Sequence, residues 1–120
     1  MAYDDGNVFA RILRGELPCD RVAETDRTLA FRDIAPQAPV HVLVIPKGAY
    51  ENLHDFLGRA SADEIADLFA VVGRLTGELG LRRDGYRLLS NTGRDGGQEI
   101  PHFHVQLLGG RDLGRLVDPA

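Results

Sequence analysis

Two of the chain's four histidines stand at alternate positions in one short segment. His102, His104 and Gln106 alternate with apolar residues from Phe103 to Leu107. Successive side chains of a β-strand point to opposite faces, so the two imidazoles and the amide would share one face while the apolar residues join a core. Side chains two positions apart lie roughly 6–7 Å from each other, close enough to line one groove. Because imidazole acts readily near neutral pH as base, acid, nucleophile or metal ligand, this face could do chemistry.

Glycine pairs flank this segment, Gly96-Gly97 before it and Gly109-Gly110 after it. Glycine lets the backbone approach a ligand closely. A half-buried strand can also carry polar residues on its solvent face without any function, so the histidines alone would not identify a site. Histidines together with flanking glycines favour a functional site.

An anionic ligand at this site would be held by neutral groups, because no lysine or arginine lies between Gly96 and Gln106. Asn91, Gln98 and the backbone amides of the turn at 96–99 could donate hydrogen bonds to phosphoryl oxygens. Taken one at a time, Asn91 and the glycines could equally be ordinary turn residues. Together with the histidines they are interpreted as one site.

Composition limits the class of protein. With 120 residues, 43% of them hydrophobic, the chain fits one domain spanning 1–120. A net charge of −4 argues against a nucleic-acid binder, which needs a basic face. The single Cys19 excludes an intramolecular disulfide. No stretch is apolar for long enough to span a membrane, so no membrane partner is expected. The acidic N-terminus is unlike the start of a signal peptide. We expect a cytoplasmic protein.

The elements that would position these residues follow from periodicity. Apolar residues at helical spacing predict a short helix near 8–13, and the capping box Ser61–Glu64 starts a helix that Gly80 ends. Its predicted core stripe is Ile65, Leu68, Phe69, Val72, Leu75 and Leu79. Strands are predicted at 21–24, 28–32, 40–45, 86–91 and in the histidine segment. The fold class is therefore α+β, a five-stranded, mainly antiparallel sheet with two helices on one face.

The segment from His102 to Leu108 resembles the signature of the histidine triad family, three histidines alternating with apolar residues. Residues 31–47 resemble the central block of the family's nucleotide-binding (Hint) branch, and residues 91–110 resemble its C-terminal block. A third similar block lies at 14–18. The three blocks occur in the family's order and cover most of the chain.

The resemblance implies a hydrolase that binds purine nucleotides of the AMP or GMP type and attacks the α-phosphorus with the middle histidine. His104 would then be the nucleophile, with its second nitrogen held by the backbone carbonyl of His102. The side chains of His102 and His41 would support it, although His41 could equally be a satisfied histidine within an apolar strand. A neutral imidazole can attack phosphorus when its other nitrogen carries the proton.

The resemblance also implies the residues that bind the nucleotide. Asp33 would accept hydrogen bonds from the ribose hydroxyls, unless it is simply a turn or cap aspartate. The base would lie among apolar residues, for which core packing is the competing interpretation: Phe9, Ile12, Phe31 and Ile34. Phosphate contacts would come from Asn91, Gly97, Gln98, Glu99, His102, His104 and Gln106. His54 lies outside the similar blocks and is predicted to be a surface histidine.

Two positions depart from the family pattern. Gln106 replaces the third histidine, so it keeps hydrogen-bonding capacity but cannot titrate. Glu99 stands where some relatives have a phosphate-binding serine, so only its backbone amide could serve there. Galactose-1-phosphate uridylyltransferases and dinucleotide phosphorylases also carry glutamine at the third position, which keeps nucleotidyl transfer open as an alternative to hydrolysis.

The remaining expectations concern alternative functions, cofactors and assembly. A regulatory module that binds nucleotides but turns them over weakly remains an alternative, as does a metal site built on His102 and His104 with His41 or Glu99. The principal hypothesis requires no metal and no organic cofactor. The resemblance implies a homodimer in which the fourth strands pair to form a ten-stranded sheet.

Overall fold

The computed structural model describes residues 3–117 of the chain. Its element order gives the following bounds: α1 Val8–Leu13, β1 Arg21–Glu24, β2 Thr28–Arg32, β3 Val40–Pro46, α2 Leu53–Arg59, α3 Ala62–Glu78, β4 Tyr86–Leu89, α4 Gly93–Gly96 and β5 Val105–Gly109. Within the described residues no helix is long and apolar enough to cross a membrane.

The five strands form one antiparallel sheet in the order β1-β2-β3-β5-β4, which confirms the predicted α+β class. The central strand β3 is buried along almost its whole length, as its continuous apolar run predicted. It pairs with β2 on one side and β5 on the other, placing Leu43 between Phe31 and Gln106. β1 and β4 are the edges of the sheet.

The described residues contain four helices rather than the predicted two. α2 was missed because it has only seven residues, too few for the helical spacing of Leu53, Phe56 and Leu57 to identify a helix. Its start is fixed by Asn52, whose side chain accepts from the Asp55 amide, and its packing by the fully buried Phe56. α4 is a single turn within the glycine-rich loop.

The prediction that the helices share one face of the sheet is wrong for α1. α3 packs on one face in a core cluster with Val42, Val44 and Leu107. On the opposite face, Phe9 of α1 packs with a second cluster composed of Leu29, Phe31, Leu43 and Ile45. A strand buried on both faces has no polar side to show which face each helix covers.

The capping box at the start of α3 is confirmed: the Ser61 side chain accepts from the Glu64 amide, and the Glu64 side chain accepts from the Ser61 amide. The helix ends at Glu78, just before Gly80 adopts a positive φ of 68°. Its core stripe is rotated slightly from the predicted one, because Val71 is buried and Phe69 is exposed.

The histidine segment is only partly a strand. β5 begins at Val105, so His102 and His104 precede the ladder of hydrogen bonds between β3 and β5. The predicted alternation nevertheless holds, because Phe103, Val105 and Leu107 all belong to the core under α3. The polar members of the segment therefore lie toward the opposite, α1 side of the sheet.

Candidate functional site

A cavity of about 530 Å³ lies between α1, the adjoining sheet face and the loop around residues 97–100. Its volume falls within the range of sites for small molecules. The cavity is lined by ten of the residues proposed from the sequence: Phe9, Ile12, Phe31, Asp33, Ile34, Asn91, Gly97, Glu99, His104 and Gln106. The fold thus brings together residues from both halves of the chain.

His104 lines this cavity with one ring nitrogen already bound. Its Nδ1 lies 2.8 Å from the carbonyl oxygen of His102. A carbonyl only accepts, so Nδ1 carries the proton and Nε2 keeps a free lone pair. Burial lowers the pKa of His104 below its usual value, against the raising effects of that carbonyl and of Asp33. The ring is thus held neutral, with Phe9 packed edge-on against it at 5.0 Å between ring centroids.

His102 does not line the cavity, because both of its nitrogens are used inside the protein. Its Nε2 donates to the carbonyl oxygen of Pro46 at 2.8 Å, and its Nδ1 is hydrogen-bonded to the hydroxyl of Tyr3. Burial lowers the pKa of His102 to about 4, so the ring is neutral at physiological pH. His102 is therefore placed to support His104 from behind.

His41 reaches the same site from β3 through a chain of hydrogen bonds with one consistent direction. The Gln37 amide donates to His41 Nδ1 at 3.0 Å, so His41 carries its proton on Nε2. That nitrogen donates to Gln106 Oε1 at 2.7 Å, and Gln106 Nε2 donates to Asn91 Oδ1 at 3.0 Å. The chain fixes which end of the Gln106 amide carries the hydrogens, and one N–H remains for a ligand.

Asp33 directly follows β2, and its amide donates to the carbonyl oxygen of His41 in β3 at 3.0 Å. Its Oδ2 is 3.5 Å from His41 Nε2, and its Oδ1 accepts from the Ala35 amide at 2.8 Å. The second contact is that of a turn aspartate, and the residue also lines the cavity. Both interpretations offered by the sequence are therefore compatible with its position.

The glycine-rich turn is held largely by its own hydrogen bonds. The amide of Gly97 donates to Arg94 O, and the amide of Gln98 donates to Gly93 O. The Gln98 side chain donates to Glu51 O and Ile100 O and does not line the cavity. Gln98 thus ties the loop to the rest of the protein, whereas the exposed Glu99 lies at the cavity edge.

The apolar residues proposed for a base pocket differ in burial. Phe9 and Phe31 are almost fully buried and belong to the core cluster beneath α1. Ile12 is partly buried, and Ile34 is 96% exposed at the rim. Core packing and cavity lining are therefore not exclusive here, and Ile34 has no role in the core that would compete with binding.

The paired histidines are poorly arranged for a metal ion. Both nitrogens of His102 and one of His104 are engaged with protein atoms, which leaves only His104 Nε2 as a potential ligand. Within residues 3–117 no group of three or more His, Cys, Asp or Glu side chains could hold a metal ion. His54 is exposed on α2, away from the cavity.

Several residues at the site were missed by sequence reasoning. The cavity is also lined by Val8, Gln37, Leu43, Leu89, Ile100 and Leu108. Leu43 and Leu89 are the two β-ladder partners of Gln106, a relation that depends on strand register. Ser90 donates to the His104 carbonyl oxygen at 3.2 Å, and Tyr3 contacts His102. The sequence carried no local signal for these contacts.

Comparisons with known proteins identify a family to which the chain is similar. The family model described as HIT domain matches residues 14–113. An uncharacterized 13.2 kDa HIT-like protein of Azospirillum brasilense is 56% identical over 115 residues, covering 96% of this chain and 94% of that protein. The purine nucleoside phosphoramidase of Escherichia coli strain K12 is 41% identical over 110 residues, covering 92% of each.

Solved structures of histidine triad proteins have a similar fold. A histidine triad protein from Clostridium difficile matches with a TM-score of 0.86 and 36% identity, covering 97% of this chain and all of that one. A HIT family hydrolase from Legionella pneumophila matches with a TM-score of 0.83 and 40% identity, covering 89% and 95%.

Proposed function

The chain belongs to the HIT domain family, and from that premise we propose that it is a nucleotide hydrolase acting at the α-phosphorus of a purine nucleotide. Its substrates would be nucleoside 5′-phosphoramidates or dinucleoside polyphosphates. The family relatives include proteins named as hydrolases and a purine nucleoside phosphoramidase, which supports this reaction class.

The single observation that carries the proposal is the state of His104. Its Nδ1 donates to the His102 carbonyl, so the nitrogen left for a ligand in the cavity is the unprotonated Nε2. An imidazole held this way needs no general base before it attacks phosphorus. Pre-orientation also lowers the entropic cost of bringing nucleophile and phosphorus together.

The reaction proceeds in two steps. His104 Nε2 forms a bond to the α-phosphorus, while the bond from phosphorus to the leaving amine or phosphate breaks with its electron pair. The resulting nucleotidyl-imidazolium keeps its Nδ1 proton on the His102 carbonyl, which stabilises the positive charge. Water then attacks phosphorus and releases a proton to the solvent, the P–N bond to His104 breaks with its electron pair going to Nε2, and the nucleoside monophosphate leaves with neutral His104 restored.

Gln106 would act on the phosphoryl group rather than as an acid. Its amide oxygen is occupied by His41 and one of its hydrogens by Asn91, which leaves one N–H for a phosphoryl oxygen. An amide cannot give up this proton to a leaving amine. The proton that a departing amine requires would therefore come from water.

The remaining cavity residues suggest where the nucleoside lies. Asp33 would accept from the ribose hydroxyls, and the base would pack between Ile34 at the rim and Phe31 and Ile12 on the floor. Apolar walls hold a purine by contact area and select weakly between bases.

A nucleotidyl transferase is the second candidate, and Gln106 is the observation that favours it. Because glutamine at position 106 cannot donate a proton, the site favours an acceptor or a leaving group that needs no proton, such as a phosphate. If phosphate, rather than water, resolves the intermediate, the product is a nucleoside diphosphate. Product analysis in phosphate buffer distinguishes the two reactions.

A homodimer formed through β4 is proposed on the exposure of that edge. Tyr86 and Leu88 are 49% and 37% exposed. Their ladder partners, Gly109 and Leu107, lie on the same sheet face as α3, but α3 packs over β2 and β3. An open edge strand with uncovered apolar side chains is a surface that a second copy could pair with and bury.

The test of the function is hydrolysis of a fluorogenic adenosine 5′-phosphoramidate with EDTA present throughout. We expect turnover by the wild type and loss of at least about 10³-fold in kcat for His104→Ala, because the nucleophile is removed. His54→Ala, an exposed histidine outside the cavity, is the matched control and should keep wild-type turnover. A folded wild type that binds AMP but releases no amine would contradict the proposal.

A further inference from the structure

Tyr3, near the N-terminus, reaches the histidine segment 99 residues away. Its hydroxyl is hydrogen-bonded to His102 Nδ1, and the two rings pack edge to face with centroids 5.7 Å apart. We propose that Tyr3 is a positioning residue that fixes the proton of His102 and, through the His102 carbonyl, the attacking nitrogen of His104. Its catalytic consequence rests on the hydrolase function proposed above.

The direction of the hydrogen bonds around Tyr3 follows from the groups involved. Asn7 Oδ1 accepts from the Ala10 amide at 2.9 Å, which orients the Asn7 side chain so that its Nδ2 donates to the Tyr3 hydroxyl oxygen at 2.8 Å. The tyrosine proton is then free to go to His102 Nδ1. Burial raises the pKa of Tyr3, so the hydroxyl stays protonated at physiological pH and can donate.

The hydrogen bond at the other ring nitrogen of His102 also requires Tyr3 to be the donor. Pro46 O only accepts, so His102 Nε2 must carry the ring proton and Nδ1 must be bare. A bare, buried ring nitrogen needs a donor, and the Tyr3 hydroxyl supplies it. Asn7, Tyr3 and His102 thus form a relay that ends on the main chain of β3.

This relay matters because no strand ladder holds His102 and His104. β5 begins at Val105, after both histidines. The backbone at His102 is instead held by its own side chain between Tyr3 and Pro46, and by the Phe103 amide on the Tyr50 carbonyl at 2.7 Å. If the His102 ring were released, its carbonyl would lose the orientation that keeps the His104 proton on Nδ1.

Tyr3→Phe keeps the ring and removes only the hydroxyl. We expect kcat to fall about tenfold with KM within about twofold of wild type, since one neutral hydrogen bond is lost and no substrate contact changes. In ¹⁵N NMR spectra of the imidazoles, the share of His104 protonated on Nδ1 should fall. Tyr86→Phe, which removes an exposed hydroxyl from β4, is the matched control and should leave both readouts unchanged.

A second variant reverses the relay without removing the tyrosine. Asn7→Asp keeps an oxygen to cap α1, but it replaces the amide donor facing Tyr3 with an acceptor that attracts the tyrosine proton. We expect the same loss of kcat and the same change in the ¹⁵N shifts, with the helix retained by circular dichroism. Agreement between the two variants would show that the position of the Tyr3 hydroxyl proton matters, and not the size of the side chain.

Unchanged ring ¹⁵N shifts in Tyr3→Phe and Asn7→Asp would overturn the inference, even if stability or activity fell, because the loss would then be general. Failure of the proposed function gives a different pattern, a wild type without turnover. In that case the ¹⁵N shifts still report whether Tyr3 holds His102 and His104.

Discussion

Three buried imidazoles in this protein each have one defined proton position. His41 carries its proton on Nε2, because its Nδ1 accepts from a backbone amide. His102 carries the proton on Nε2 and His104 carries it on Nδ1, because each of these nitrogens faces a carbonyl oxygen, which can only accept. The buried site thereby presents one free imidazole lone pair to the cavity. The chemistry proposed for His104 depends on these proton positions more than on the number of histidines.

Replacement of Gln106 tests whether the site lacks a general acid for the leaving group. We expect Gln106→His to raise kcat for phosphoramidates with strongly basic amine leaving groups by about tenfold, because imidazolium can donate a proton as the P–N bond breaks. The rate for a substrate with a weakly basic leaving group, which departs without a proton, should change little. The measurement is a plot of log kcat against leaving-group pKa for both proteins. Parallel lines would contradict the explanation.

The pKa of His102 predicts how stability depends on pH. In the unfolded chain the imidazole binds a proton below about pH 6.5, whereas in the folded protein it does so only below about 4. Between these values the unfolded state holds more protons, so stability falls as pH falls. We expect the free energy of unfolding to drop by about 2 kcal/mol between pH 7 and pH 5 from this residue.

Urea denaturation at the two pH values measures this drop, and His102→Asn is the comparison. The variant lacks the titrating ring, so its stability should change less over the same interval. Equal changes in both proteins would assign the pH dependence to other groups. Above pH 5 most carboxylates remain ionised in both states and contribute little.

The secondary structure elements divide into those set by local sequence and those set by packing. β1, β2 and β3 match their predicted positions closely, and the start of α3 was specified by its capping box. By contrast, α1 covers the face opposite α3, and β5 begins three residues later than His102. Apolar spacing identifies an element but not the face it covers when the sheet is buried on both sides.

Removal of the cap of α3 should affect stability without affecting the site. We expect Ser61→Ala to lower the free energy of unfolding by about 1 kcal/mol, because the Glu64 amide loses its acceptor. Turnover should be unchanged, since α3 packs on the face opposite the cavity. Denaturation and steady-state assays measure both quantities, and Ser61→Thr, which keeps the capping oxygen, is the control. A matching loss in Ser61→Thr would exclude capping as the cause.

At the scale of the whole molecule, one of the two edge strands of the sheet is proposed to pair with a second copy. That strand is β4, and its Tyr86 and Leu88 are exposed. Leu88→Asp should dissociate the proposed dimer into monomers, because a carboxylate in the contact would lose its hydration on association. Sedimentation velocity measures the mass. Leu57→Asp, at an exposed leucine on α2, should leave the dimer intact.

A wild type that sediments as a monomer at micromolar concentrations would contradict the proposed dimer. Equal dissociation by Leu57→Asp would also contradict it, because the effect would then reflect added charge rather than a contact at β4.

The amino-acid sequence by itself determined the strands, the capped helix and the alternation of His102, His104 and Gln106 with apolar residues, because these features depend on neighbours a few positions apart. Tertiary structure decided what each polar group bonds to. Tyr3 meets His102 across 99 residues, and His41 meets Gln106 across 65. Such contacts depend on how strands pair and helices pack, and no local periodicity encodes them. The proton positions at the site follow from these long-range contacts.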